Sequence, residues 1–136
     1  MTEEDRRSAI AMELRHASSA LAAARLLRGA CLYNDALSRL YYALFHTMTA
    51  LLLTEGVEPR RHRSLPGLLG AKFTASGLLG AADIALISRA ATYRDLADYE
   101  RTWEATLDVT DAALLEIEPI MDRVRAHLEA GGWTGS

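Results

Sequence analysis

The sequence predicts an all-α protein, an up-and-down helical bundle of five helices, four of them long and one short. Three observations carry this. Apolar residues recur at steps of three and four along most of the chain, the period of an amphipathic helix. Ala, Leu, Arg and Glu are abundant whereas Val and Ile are few, and prolines number only 3, a composition that suits helices. The periodic segments are separated by short turn-like stretches, which suits a bundle of sequential neighbours.

Thr2, followed by Glu3, Glu4 and Asp5, marks the first helix start, with acidic groups at the positive end of the dipole. Ile10, Leu14, Ala17, Leu21 and Ala24 form its stripe to about Arg28, and Gly29 is the expected stop. The second helix is expected from Asn34 to Leu53, with Asn34 as its N-cap. Leu37, Tyr41, Leu44, Met48 and Leu51 share one face. Arg39, His46 and Ala50 lie opposite, with Tyr42 beside them. Such a helix either makes contacts on both sides or sits in the middle of a bundle with its Arg and His reaching solvent at the edge. Gly56 suits a left-handed C-cap. The loop that follows holds a dense cationic cluster, Arg60, Arg61, His62 and Arg63. It reads either as a phosphate-contacting loop or as a solvated surface loop, and its shortness and lack of interleaved aromatic residues favour the second.

Ser64 is the expected N-cap of the short third helix, which buries Leu65, Leu68, Leu69 and Phe73 and ends at Ser76-Gly77. The fourth helix is expected over about Ala81 to Tyr99. Ile84, Ile87 and Ala91 share a face there, and Arg94 and Asp98 continue it. Charges in line with an apolar stripe are either a structural ion pair or the wall of a polar cleft. Thr102 is the expected cap of the fifth helix, whose stripe runs Leu107, Thr110, Leu114, Ile117, Met121, Val124 and Leu128; Pro119 predicts a kink within it. Residues 1–130 are expected to form a single domain and residues 131–136 a flexible C-terminal tail.

A chain of 136 residues suits one domain, and its net charge of −3 gives no global pull toward nucleic acid. The single Cys31 excludes an intrachain disulfide and a cysteine zinc site; it is expected as a small apolar residue near a helix–helix turn. No signal peptide and no apolar run of membrane-spanning length is legible, so a cytoplasmic protein with no membrane contact is expected. There is no glycine-rich phosphate loop, helical HExxH motif or nucleophile elbow. His16, His46, His62 and His127 lack metal-ligand spacing, so no metal and no cofactor is expected. His16 and His127 are expected at the surface.

The segment Ser38–His46, S-R-x-Y-Y-A-x-F-H, resembles the signature of small stand-alone prokaryotic HEPN proteins (higher eukaryotes and prokaryotes nucleotide-binding domain). His62 and Ser64, Phe73 and Gly77, then Arg94 with Ala97-Asp98-Tyr99 follow in that family's order. The resemblance spans nearly the whole chain. It implies a helical homodimer that partners a small nucleotidyltransferase, often as a toxin–antitoxin pair. In related pairs the partner modifies a tyrosine with AMP. Tyr99 is the acceptor by position, although the usual motif has that tyrosine shortly after a His that is absent here. Ribonuclease members of the family resemble one another in an Arg followed one to two turns later by a His, and they need no metal. Arg94 matches the Arg, but DLADYE follows it and Tyr99 stands where the His is expected. A tyrosine with an ordinary pKa of about 10 is a poor general base at neutral pH. Arg39 and His46 repeat a similar spacing in the second helix. The catalytic candidates are therefore Arg94, Tyr99 and His46. If helices two and four pack together, Arg39, Tyr42, His46, Arg94, Asp98 and Tyr99 line one binding cleft. The expected function is an interaction or nucleotide/RNA-binding protein paired with a small nucleotidyltransferase. The alternatives are a metal-independent endoribonuclease and an RNA- or nucleotide-binding module without catalysis.

Overall fold

The computed structural model describes residues 1–134. Its elements are α1 (Glu3–Gly29), α2 (Tyr33–Leu53), a 3₁₀ turn (His62–Ser64), α3 (Leu65–Phe73), α4 (Ala81–Tyr99) and α5 (Leu107–Ala130), with no strand among the described residues. The all-α bundle of four long helices and one short one is the architecture that the helical periodicity predicts.

α1 begins with a reciprocal capping box: the Asp5 amide donates to Thr2 Oγ1 at 3.0 Å and the Thr2 amide donates to Asp5 Oδ2 at 3.3 Å. The helix buries Ile10, Leu14, Ala17, Ala20 and Ala24. The chain reverses two residues beyond the expected Gly29. Cys31 takes the left-handed conformation, with φ of 62°, and the Leu32 amide closes back on the Leu27 carbonyl at 2.9 Å. Cys31 is exposed there, not packed as a small apolar residue. A glycine would meet the same geometry without steric cost.

α2 starts one residue earlier than expected, and Asn34 is not its cap. The Asn34 carboxamide reaches across the fold instead. Its Oδ1 accepts from the Ala105 amide at 2.7 Å and its Nδ2 donates to the Trp103 carbonyl at 3.3 Å. It thereby satisfies two backbone groups of the α4–α5 connection. α2 packs against α1, α3, α4 and α5. Leu37, Leu40, Tyr41, Leu44, Met48, Leu51, Leu52 and Leu53 are all buried. Ala50, expected on the polar face, is fully buried as well. Thr47 and Thr49 survive in this environment by donating to the carbonyls four residues back, Ala43 and Phe45. α2 is thus the central helix of the bundle, and Gly56, with φ of 70°, closes it.

Ser64 precedes α3, but its hydroxyl donates to the Arg61 carbonyl at 2.7 Å and so stabilises the 3₁₀ turn rather than capping α3. α4 is buried at Leu86, Ile87 and Ala90. Ile84 and Ala91 are only half-buried, so the inward face is rotated from the expected one. α5 is capped by Thr106, whose Oγ1 accepts from the Val109 amide at 3.2 Å, and not by Thr102. The helix assignment runs unbroken through Pro119. Charge pairs fasten α5 to its neighbours: Arg28 grips Asp111 with two bonds of 2.8 and 2.9 Å, and Arg123 meets Asp83 at 2.7 Å. These pairs are largely solvated and contribute little individually. The tail departs from the expected flexible segment at its start. The Trp133 amide donates to the Leu128 carbonyl at 2.9 Å, and the Arg7 guanidinium lies 4.9 Å from the Trp133 ring centre and bonds the Gly132 carbonyl. Gly135 and Ser136, the end of that expected tail, lie outside the described residues.

Candidate functional site

The largest cavity, about 880 Å³, opens where α4 faces the 3₁₀ turn and the start of α3, with Tyr41 of α2 at its inner wall. Arg61, His62 and Arg63 come from the turn and the residue before it. Ser88, Ala91, Arg94, Asp95 and Tyr99 come from one side of α4. The helical repeat places those α4 residues together, and the tight 3₁₀ turn directs three consecutive polar residues toward them. Tyr99 is 75% exposed at the mouth.

Arg94 is the centre of this arrangement. Its side chain is only 13% exposed. Nη1 donates to Asp95 Oδ1 at 2.8 Å and Nη2 donates to the Tyr42 hydroxyl at 3.2 Å. The guanidinium lies 5.5 Å from the Tyr41 and Tyr42 ring centres and 5.7 Å from that of Tyr99. Burial works against its charge, but the Tyr42 and Asp95 contacts outweigh burial and raise its pKa further. Arg94 Nε has no hydrogen-bond partner. Asp98 Oδ2, at 3.8 Å, is an ionic neighbour too distant to bond it. A permanently charged group whose two terminal nitrogens each keep an N–H uncommitted, beside three rings, has the chemistry to meet an acceptor-rich anion.

His62 lies beside it. Its ring is 4.2 Å from that of Phe45 and meets Tyr42 edge-on at 5.7 Å. Burial, and then the positive charge of Arg94, hold its pKa below the ordinary imidazole value, so it is neutral at physiological pH. Tyr41, 3.0 Å from His62 Nδ1, has its pKa pushed up to about 12, chiefly by burial. The protonated Tyr41 hydroxyl and Nδ1 share this hydrogen bond, and the imidazole tautomer sets which of them donates.

The structure divides the six residues expected in one cleft. Arg94 and Tyr99 line the large cavity. Arg39, Tyr42 and His46 line a second groove of about 350 Å³ between α2 and α1. Tyr42 stands between the two, bonded by Arg94 on one side and covered by Arg39, 4.8 Å away, on the other. Asp98 is absent from both linings and accepts from Ser38 Oγ at 3.2 Å. Within the basic loop, Arg61, His62 and Arg63 face the cavity and Arg60 does not line it. Sequence reasoning missed His62 as a neighbour of Arg94. The Tyr41–Phe45 spacing signals a ring platform on α2, but no periodicity links it to a loop residue some twenty positions later.

Comparison with known proteins gives one family and several relatives. The family model described as the HEPN domain matches residues 11–127. A candidate toxin of Methanocaldococcus jannaschii is 31% identical over 129 residues, spanning 95% of this chain and 96% of its own. A second candidate toxin from that organism is 28% identical over 112 residues, spanning 82% of this chain and 76% of its own. A UPF0332 protein of Pyrococcus horikoshii is 41% identical over 46 residues, a match confined to 34% of this chain and 32% of its own. Among the described residues no helix is long and apolar enough to cross a membrane.

Proposed function

This chain belongs to the HEPN domain family, and from that membership we propose that it is a toxin-like HEPN protein whose Arg94 cleft binds the phosphate of a nucleotide or of RNA. One observation carries the reading: Arg94, charged and with one N–H on each terminal nitrogen uncommitted, shares a single cavity with Arg61, His62 and Arg63 in a protein of net negative charge. The exposed ring of Tyr99 in the same lining offers a face for a base beside the phosphate. The two Methanocaldococcus relatives bear names that mark them as candidate toxins. The protein acts as a homodimer paired with a small nucleotidyltransferase, as the family resemblance implies. Tyr99, with its exposed hydroxyl, is the acceptor for AMP in that pairing: its oxygen bonds the α-phosphorus of ATP, loses its proton to solvent and displaces pyrophosphate. The expected cytoplasmic location belongs to the same reading.

Binding of a 5′-phosphorylated RNA hexamer by wild type and by Arg94→Ala tests the cleft. The variant should bind at least about tenfold more weakly, the cost of losing charge-assisted bonds. Equal binding by a folded variant defeats the reading. Purification from the native host, with mass measurement of the protein and its companions, tests the partner and the AMP. A second reading is favoured by His62. In the tautomer whose Nδ1–H donates to the Tyr41 oxygen, the neutral His62 imidazole keeps Nε2 as a proton acceptor for a ribose hydroxyl beside the Arg94 cation for phosphate charge, the parts of a metal-independent endoribonuclease. RNA cleavage in EDTA that is lost in His62→Gln supports it over simple binding.

A further inference from the structure

The groove between α1 and α2 is built from a different set of groups. Ala20 and Ala23 leave it open, and His16, Ser19, Arg39, Tyr42 and His46 supply its polar and aromatic surface. Arg39 lies flat over the Tyr42 ring at 4.8 Å. It makes no hydrogen bond or ion pair among the described residues, so its N–H edges are free for a ligand. The carboxylate packed beside this groove, Glu13, is engaged: its Oε2 is 2.6 Å from His46 Nδ1. That pairing fixes Nδ1 as the donor to Glu13, holds the imidazole in one orientation and leaves Nε2 facing away from Glu13, where it donates to an anion when a second proton sits on it. The His16 ring lies 5.3 Å from the His46 ring, carried there by α1. No cluster of metal-ligating side chains occurs among the described residues, and Arg39 would repel a cation. A guanidinium, two imidazoles and a hydroxyl around one depression, with the neighbouring carboxylate already paired, match a tetrahedral oxyanion.

We propose that the α1–α2 groove is a second phosphate-binding site, separate from the Arg94 cleft, in which Arg39, His16, Ser19 and His46 hold a phosphoryl group. The source of that group is either a terminal phosphate monoester or the diester backbone of RNA; both present the same oxygens. Arg39 supplies the charge and the planar pair of donors. Ser19 and the imidazoles set the orientation. Tyr42 then forms a shared wall, with one anion site on each of its two sides.

The two sites are separable because each contains its own histidine probes. The ring C–H resonances of His16 and His46 report the groove, and those of His62 report the cleft. Titration of the full chain with inorganic phosphate should move the His16 and His46 signals saturably. The exposed substitution Arg39→Ala should weaken that response at least about tenfold, and Arg60→Ala, at a cationic position that lines neither cavity, should leave it within about twofold. AMP and a 5′-hydroxyl RNA hexamer then distinguish the sources: tighter binding of AMP identifies a terminal phosphate, and tighter binding of the hexamer a diester backbone. Signals of His16 and His46 that do not move, or that move equally in wild type and folded Arg39→Ala, overturn the second site. Movement of His62 alone would overturn it while leaving the Arg94 cleft intact. Saturation at His16 and His46 with none at His62 would support the groove and count against the cleft.

Discussion

At the scale of single residues, Arg94 and His62 show how burial and charge act together. Arg94 is neither a sealed ion pair nor a free surface cation. Its side chain is 13% exposed while that of its partner Asp95 is 65% exposed. Removing Arg94 therefore strands no buried carboxylate, and the loss in Arg94→Ala should stay below the roughly 3–5 kcal/mol of a sealed pair. Thermal melts beside the RNA-binding assay check this. His62 gives a pH dependence of defined sign. Its folded pKa lies below the ordinary value, first because it is buried and second because Arg94 is close. The unfolded chain thus takes up that proton more readily than the folded one. The associated stability is complete above the unfolded pKa of about 6.5 and is lost as pH falls through the lowered folded value. The Tm of wild type should therefore fall on acidification more than that of His62→Gln. Parallel pH profiles of the two would disprove the assignment.

At the scale of elements, helix ends are decided by which polar group is nearest. Thr102 and Thr106 are both capping residues by type, but only Thr106 accepts the α5 amide, from Val109 at 3.2 Å. Thr106→Ala should cost about 1 kcal/mol. Thr102→Ala should stay within about 0.5 kcal/mol of wild type, as expected of a surface position. Urea titrations of the pair distinguish them, and equal losses would contradict the cap. Asn34 makes the same point from the opposite direction. It is a good cap by chemistry and is used instead to tie α2 to the chain at Trp103 and Ala105. α2 itself looks amphipathic in sequence, yet it is enclosed by four other helices.

At the scale of the whole molecule, the core gathers on α2, and Leu44 at its middle is fully buried. An unpaired carboxylate there costs several kcal/mol, comparable to the roughly 5–15 kcal/mol that holds a domain of this kind together. Leu44→Asp should abolish cooperative unfolding or soluble expression. A soluble variant with the wild-type Tm would show that this face is not the core. The same central helix borders both cavities: Tyr41 lines the cleft with Arg94 and His62, and Arg39 and His46 line the groove with His16.

Fold class, helix number, the α1 start at Thr2 and the Gly56 stop were legible in the residues, because each depends on neighbours within one or two turns. The inward placement of Arg94 was legible too, since a charge continuing an apolar stripe must meet the rest of the protein. The grouping of the site residues was not legible. His62 reaches Arg94, His16 reaches His46, and Arg39 parts company with Arg94, only through the packing of helices far apart in sequence. Periodicity states which way a side chain leaves its own helix. It does not state which other helix stands opposite, and here that choice places Arg94 and Tyr99 on one cavity and Arg39, Tyr42 and His46 on another.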